Sequence, residues 1–108
     1  MWLYVSGGFL SIVAHRDKPE HLLVRARHPD HINALFPDAD VIFLASADYP
    51  FRVVLHRMVV ERAVGRYITQ MSYDNFKSSV TDNGYHDVCL SVWNTMFLYG
   101  EKHRQEGL

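Results

Sequence analysis

The chain contains a single cysteine, Cys89, so it forms no internal disulfide bond. A protein without disulfides is typical of a reducing compartment, and the sequence therefore predicts a cytoplasmic location. The N-terminal segment lacks the basic start of a signal peptide. No apolar run approaches the roughly 20 residues that span a bilayer. We therefore expect no association with a membrane.

Sequence motifs that mark common active sites are also missing. The chain contains no G-x-S-x-G, no phosphate-binding loop, no H-E-x-x-H and no paired cysteines. Its formal charge of −1, from 11 Lys and Arg against 12 Asp and Glu, does not indicate general attraction to nucleic acid or to anionic membranes. No cofactor is predicted. These absences lower the expectation of an enzyme without excluding one.

The chain does contain enough apolar side chains for one hydrophobic core. Hydrophobic residues make up 48% of its 108 residues and charged residues 21%, as in a folded protein. A chain of this length is typical of one domain. The sequence therefore predicts a single α+β domain that covers residues 1–108.

Aromatic and β-branched runs predict strands in the first half of the chain, because they are short and several alternate apolar with polar residues. In chain order these runs are "WLYV", "FLSIVAH", "HLLVRAR", "DVIFLA" and "FRVVLH". The "SGG" between the first two predicts a hairpin with a glycine-rich turn. "HPDHINALFP" predicts a short helix that begins at Pro29.

Apolar spacings of three and four residues predict helices from about Met58 onwards. We interpret "SYDNFKSSV" as a short helix whose N-cap is Ser72, with the hydroxyl accepting from the amide of Asn75. A final helix covers roughly residues 84–99.

The resulting order, β-β-β-α-β-β-α-α-α, predicts an α+β fold with an antiparallel sheet of about five strands and helices on one face. Its β-α-β-β-α section is most of a ferredoxin-like unit, preceded by a β-hairpin that can supply the missing edge. An open, barrel-like curl of the sheet is the alternative.

Several of these patterns together resemble a known family. The N-terminal W-[LI] hairpin, "LLVRAR", "DYPFR", "YDNFK" and a closing "VW" helix are similar to a family of small, uncharacterised bacterial and phage proteins, over roughly residues 2–97. That family has no assigned activity, so the resemblance implies no catalytic residues. It implies pattern positions, for packing or for function, at Asp48, Tyr49, Arg52, Tyr73, Asn75, Phe76, Lys77 and Trp93.

Histidine and cysteine offer little support for a metal or catalytic site. His28 and His31 have a spacing that zinc sites use, but no third ligand is near them in the sequence. His86 and Cys89 are neighbours on the last helix, yet Cys89 lies on its apolar arc, where a thiol is usually a small hydrophobe. We predict no metal site and no catalytic residue.

Strand alternation predicts a basic surface on the sheet face opposite the core. The residues expected there are Arg25, Arg27, Arg52, His15 and His56, together with Trp2 and Tyr4. Arginines beside aromatic rings are typical of sheets that bind RNA or another anion. The alternative is a solvated face whose arginines pair with nearby aspartates, and the net charge favours this alternative.

The apolar arc of the last helix covers about half of its circumference, whereas a surface helix needs a stripe only a little over about 100° wide. The surplus must be covered by the preceding helix or by another chain. We therefore expect Leu90, Trp93 and Phe97 to form a protein interface.

Three functions remain open from the sequence. The first is a non-catalytic binding protein that acts by protein–protein contact, as a homodimer or as a regulator or inhibitor of a larger complex, including one in phage–host conflict. The second is an RNA- or anion-binding module that uses the arginines of the sheet. The third is a small enzyme of unknown class.

Overall fold

A computed structural model describes residues 1–106 as two compact units. The first unit is Met1–Ser72, and the second begins at Tyr73. Whether the two units belong to one domain, as the sequence predicts, is not tested by this division, and that expectation stays a prediction. The elements of the first unit are β1 (Trp2–Val5), β2 (Gly8–Ala14), β3 (His21–Ala26), α1 (Pro29–Leu35), β4 (Ile42–Phe43), β5 (Phe51–His56) and α2 (Arg57–Thr69). The second unit contains α3 (Phe76–Ser79) and α4 (Asn83–Gln105).

The five strands of the first unit form one sheet in the order β1-β2-β3-β5-β4, and every neighbouring pair is antiparallel. Strand β5 lies between β3 and β4, which is the split arrangement of a ferredoxin-like β-α-β-β section. Strand β2 of the N-terminal hairpin lies on the other side of β3, and β1 of the same hairpin forms that edge of the sheet. The predicted fold class is thus confirmed.

The hydrophobic core lies on one face of this sheet. Ile12, Val24 and Val53 are directly opposite one another on β2, β3 and β5, and all three are buried. Both helices of the unit contribute to the same cluster, α1 through Ile32 and its C-cap Phe36, and α2 through Val60 and Ala63. Because both helices pack on the face that carries the core residues, the prediction of helices on one face holds for α1 and α2.

Two histidines begin the helices of this unit. His28 is the N-cap of α1, where its Nδ1 accepts from the backbone N–H of Asp30 at 3.1 Å, and Pro29 takes the first helical position as predicted. His56 does the same for α2, and its Nδ1 accepts from the N–H of Met58 at 3.0 Å. A ring nitrogen here replaces the side-chain oxygen that usually satisfies a free helical N–H.

A long-range contact joins the hairpin turn to the end of α2. The hydroxyl of Tyr67 accepts from the backbone N–H of Ser6 at 3.0 Å and lies 3.1 Å from the Ser6 hydroxyl. The hairpin that "SGG" predicts is therefore present, and its turn is held by a side chain 61 residues away.

The predicted strand "DVIFLA" is shorter than expected, because β4 contains only Ile42 and Phe43. Both residues are more than 60% exposed. A continuous apolar run predicts a strand that is buried on both faces, but β4 lies at the edge of the sheet and pairs only with Arg52 and Phe51 of β5. Its apolar residues are therefore left at the surface.

The prediction that Ser72 caps α3 is wrong. The N-cap is Asn75, whose Oδ1 accepts from the N–H of Ser78 at 3.3 Å. Asn and Ser are about equally good N-caps, so residue preference alone does not choose between two such residues three positions apart. The helix is consequently only four residues long.

The final helix is longer than the predicted 84–99. Asp82 caps its start by accepting from the N–H of Tyr85 at 2.8 Å. Lys102, His103 and Arg104 lie in its last turn, where positive charge favours the helix dipole. The predicted end is based on the apolar pattern, and that pattern ends before these charged residues.

We predict that Gly8→Ala lowers the free energy of unfolding by about 1–3 kcal/mol, because an added Cβ would lie 2.6 Å from the Cβ of His31. The matched control is Gly65→Ala in α2, where an added Cβ meets nothing within 4 Å. That change should raise the free energy of unfolding by about 0.5–1 kcal/mol. Urea unfolding of both variants measures the difference, and equal effects would contradict the packing described here.

We also predict that Asn75→Ala loosens α3 at a cost of about 1 kcal/mol, whereas Ser72→Ala has little effect. Lys77 of α3 lies over the ring of Trp93, with its Nζ 4.9 Å from the ring centre. Trp93 fluorescence in a Trp2→Phe background therefore reports on α3 during denaturation. If Ser72→Ala lowered the stability of α3 more than Asn75→Ala did, Ser72 would be the N-cap.

Candidate functional site

One candidate surface lies on the sheet face opposite the core, and we call it the arginine face. It consists of Trp2, Tyr4, Phe9, Ser11, Arg25, Arg27, Tyr49 and Arg52. Strand pairing places Trp2 opposite Ser11, Ser11 opposite Arg25, and Arg25 opposite Arg52. These four residues therefore form one row across β1, β2, β3 and β5.

Tyr49 holds the arginines of this surface together. Its side chain is buried, and the guanidinium carbons of Arg25 and Arg27 lie 4.7 Å and 4.4 Å from the centre of its ring. The Nε of Arg52 donates to the backbone oxygen of Tyr49 at 3.3 Å. Sequence reasoning included Tyr49 only as a pattern position, because it precedes β5 and strand alternation does not place it.

The three arginines differ in how their charges are met. Arg27 forms an ion pair with Asp48 at 3.2 Å, as the solvated-face alternative expects. Arg25 donates from Nη2 to the hydroxyl of Ser11 at 2.7 Å, and its Nε is buried without a hydrogen-bond partner. Within residues 1–106, no carboxylate forms an ion pair with Arg25 or Arg52.

An aromatic cluster borders the arginines. Phe9 stacks on Tyr4 with 4.6 Å between ring centres, meets the edge of Trp2 at 6.1 Å and lies 6.4 Å from Tyr49. Trp2 is 70% exposed. The cluster therefore presents one large ring to solvent beside the arginine row.

The two histidines expected on this surface lie towards the other end of the strands from the arginines. His15 accepts from the N–H groups of Asp17 and Lys18 in the loop after β2. His56 caps α2, and its Nε2 is 3.6 Å from a carboxylate oxygen of Glu20. His56 is opposite His21 in the strand pairing, and His21 is four residues from Arg25 along β3. At about 3.3 Å per residue, His56 is therefore roughly 13 Å from the arginine row. Both rings thus serve the local backbone and are separated from the arginines.

A second candidate surface lies on the last helix, and we call it the α4 apolar face. Each of its six side chains is between 44% and 59% exposed, namely Val88, Leu90, Trp93, Met96, Phe97 and Tyr99. Tyr85 and Cys89 are buried on the same arc, and Val92 is half-buried. Burial of the arc is thus concentrated in its first turns, and the apolar pattern continues beyond them.

The rings of the α4 apolar face are held in place by their neighbours. Trp93 and Phe97 stack with ring centres 5.4 Å apart and 13° between their planes, as residues at i and i+4 can. Lys77 lies over the same Trp93 ring. Tyr99 meets the ring of His103 edge-on at 4.5 Å. Leu90, Trp93 and Phe97, the interface residues expected from the sequence, all lie on this surface.

No metal centre is found in the part of the chain that the structure describes. The rings of His28 and His31 stack with centres 4.9 Å apart, and each accepts a hydrogen bond from a backbone N–H, His28 from Asp30 and His31 from Phe9. Their proximity therefore has a structural explanation. None of the described helices is both long and apolar enough to cross a membrane.

Cys89 is buried, and burial raises the pKa of its thiol above the ordinary value, an effect that a hydrogen bond with Tyr85 partly offsets. A raised pKa keeps the thiol protonated at neutral pH, and the thiolate is the reactive form. The arrangement therefore fits packing and does not provide a nucleophile.

We predict a pH dependence of stability that comes from Cys89. The folded state retains the thiol proton to higher pH than the unfolded chain, whose cysteine titrates near about 8.5. The free energy of unfolding should consequently fall as the pH rises above that value. Urea unfolding at neutral and alkaline pH should show a smaller fall in Cys89→Ala than in the wild type. An identical fall in both would show that the thiol does not contribute.

Comparison with known proteins does not assign either surface. No family model matches the chain, and no curated protein or solved structure matches it significantly. The resemblance stated from the sequence patterns stays a prediction, because no match bears on it. The case for a function therefore rests on the arginine face and the α4 apolar face.

Proposed function

We propose that this protein is a non-catalytic binding protein that acts by protein–protein contact through the α4 apolar face. The observation that carries the proposal is the exposure of six large apolar side chains on one side of a single helix. Single exposed apolar residues are ordinary on protein surfaces, but a contiguous group of them marks an interaction site.

The size of the face supports an interface. Trp93, Phe97 and Tyr99 are each about half exposed. Aromatic side chains carry about 150–250 Å² each, so these three rings leave roughly 300 Å² open. A typical interface buries about 800 Å² per partner, with aromatic anchors at its centre. The rings are thus sufficient for the centre of an interface, and their neighbours on α4 extend it.

The partner that we propose is a second copy of the chain. Every copy carries the same face, and a two-fold dimer needs only one self-complementary patch. The stacked Trp93 and Phe97 rings are already ordered, so association would require little further loss of side-chain freedom. Regulation or inhibition of a larger complex, as in phage–host conflict, is the alternative use of the same face.

We also propose a cytoplasmic location. The chain has one cysteine, and that cysteine is a free, buried thiol. Extracellular proteins of this size commonly rely on disulfides, which this chain cannot form within itself.

We predict that Phe97→Lys abolishes self-association, because it places a charge within the apolar contact. The matched control is Leu98→Lys. Leu98 is similarly exposed, but it lies on the opposite side of α4 from the buried Cys89. It is nine residues beyond Cys89, and at about 100° per residue this is a rotation of two and a half turns. Sedimentation over a wide concentration range should show a dimer for the wild type and for Leu98→Lys, and a monomer for Phe97→Lys.

Truncation at two positions of α4 separates the interface from the fold. Phe97→Ala should weaken association with little change in thermal stability, whereas Val92→Ala, at a half-buried position, should mainly lower stability. A wild type that stays monomeric at high concentration, or a dimer that Phe97→Lys leaves intact, would overturn the proposal.

A further inference from the structure

We infer that the arginine face binds single-stranded nucleic acid, with a phosphate held by Arg25 and Arg52 and a neighbouring base stacked on Trp2. This inference is independent of the proposed dimer, because all of its residues lie in the first unit.

The first argument is the uncompensated charge of the arginine pair. Arg25 and Arg52 are directly opposite in the β3–β5 pairing, where like charges destabilise a sheet. Arg27 is neutralised by Asp48, but among the described residues no carboxylate pairs with the other two arginines. An anion bound between them would supply the missing negative charge.

The second argument is that the pair is held ready for such an anion. Ser11 and the ring of Tyr49 fix the guanidinium of Arg25, and the Tyr49 carbonyl fixes that of Arg52 through its Nε. Each guanidinium has five N–H donors in a planar fork that matches the oxygens of a phosphate. Hydrogen bonds within the described chain use only the Nη2 of Arg25 and the Nε of Arg52. Donors therefore remain on both side chains.

The third argument is the exposed ring in the same row. Trp2 lies two strands from Arg25, or about 10 Å at roughly 4.8 Å per strand, and among residues 1–106 it is the most exposed of the large apolar side chains. Bases of single strands stack on such rings while arginines hold the backbone. A base within a duplex is already stacked on its neighbours, so this arrangement favours a single strand. The site is local and does not require a basic protein.

The test is fluorescence anisotropy with labelled 12-nucleotide single strands of RNA and of DNA, and with the duplex of the same sequence. Wild-type protein should bind at least one of the single strands and bind the duplex at least tenfold more weakly. A preference for RNA over DNA would indicate contacts with the 2′-hydroxyl. Stacking should also quench Trp2 in a Trp93→Phe background.

Matched variants locate the site. Arg52→Gln should weaken binding at least tenfold and reduce the slope of log affinity against log salt by about 0.7 for each phosphate that the variant no longer neutralises. Arg16→Gln removes the same charge from an exposed loop position and should change affinity less than twofold. Trp2→Ala should weaken binding at least tenfold while keeping the arginines, and circular dichroism melts confirm that each variant is folded.

Three results would overturn the inference. The first is the absence of binding to either single strand, and the second is binding of the duplex as tight as that of the single strands. The third is an equal loss from Arg52→Gln and Arg16→Gln, which would indicate general charge attraction. If Arg52→Gln is unfolded, Trp2→Ala still tests the inference, because Trp2 is exposed and its loss should leave the fold intact. Undiminished binding by Trp2→Ala would reject the stacking geometry.

Discussion

Strand β3 is paired along its length with β5, from His21 opposite His56 to Ala26 opposite Phe51. This register places Val24 against Val53 on the core side and Arg25 against Arg52 on the other side. A shift of one residue would move the arginines into the core and the valines into solvent. The hydrophobic cluster under α1 and α2 and the row of the arginine face therefore depend on the same set of backbone hydrogen bonds.

The two candidate surfaces differ in their physical character. Arg25 and Arg52 of the arginine face lie on β3 and β5, whose backbones are fixed by neighbouring strands on both sides, so these two charged groups are held at defined positions. The α4 apolar face is carried by one helix, whose exposed rings gain stability mainly when another apolar surface covers them. Directional recognition suits the first surface, and burial of area suits the second.

Alternation and helical period were sufficient to predict the fold class, because burial on one side leaves a clear pattern in "HLLVRAR" and "FRVVLH". The positions of Arg25 and Arg52 follow from the same pattern. Tyr49 and Ser11 could not be assigned in this way. The role of Tyr49 depends on the shape of the loop before β5. Ser11 is buried and hydrogen-bonded to Arg25 although strand alternation places it opposite the core.

The misplaced helix start and the short β4 have a common cause. Local residue preference does not include tertiary structure, which decides between alternatives that the sequence leaves equal. It decides whether Ser72 or Asn75 caps α3, and whether an apolar run becomes an edge strand or a central strand. His56 shows a second limit. Alternation places it on the sheet face of the arginines, and the strand register agrees, but alternation does not predict that its ring begins α2, into which β5 continues directly.

The hydrogen bonds between Ser6 and Tyr67 have a consequence for how the first unit opens. They tie the turn of the N-terminal hairpin to the last turns of α2, across 61 residues of chain. An edge hairpin would ordinarily be among the first segments to fray and exchange its amide protons. Because this one is fastened at its turn, we expect the hairpin and α2 to exchange together, as one cooperative unit that includes nearly all of the chain between them.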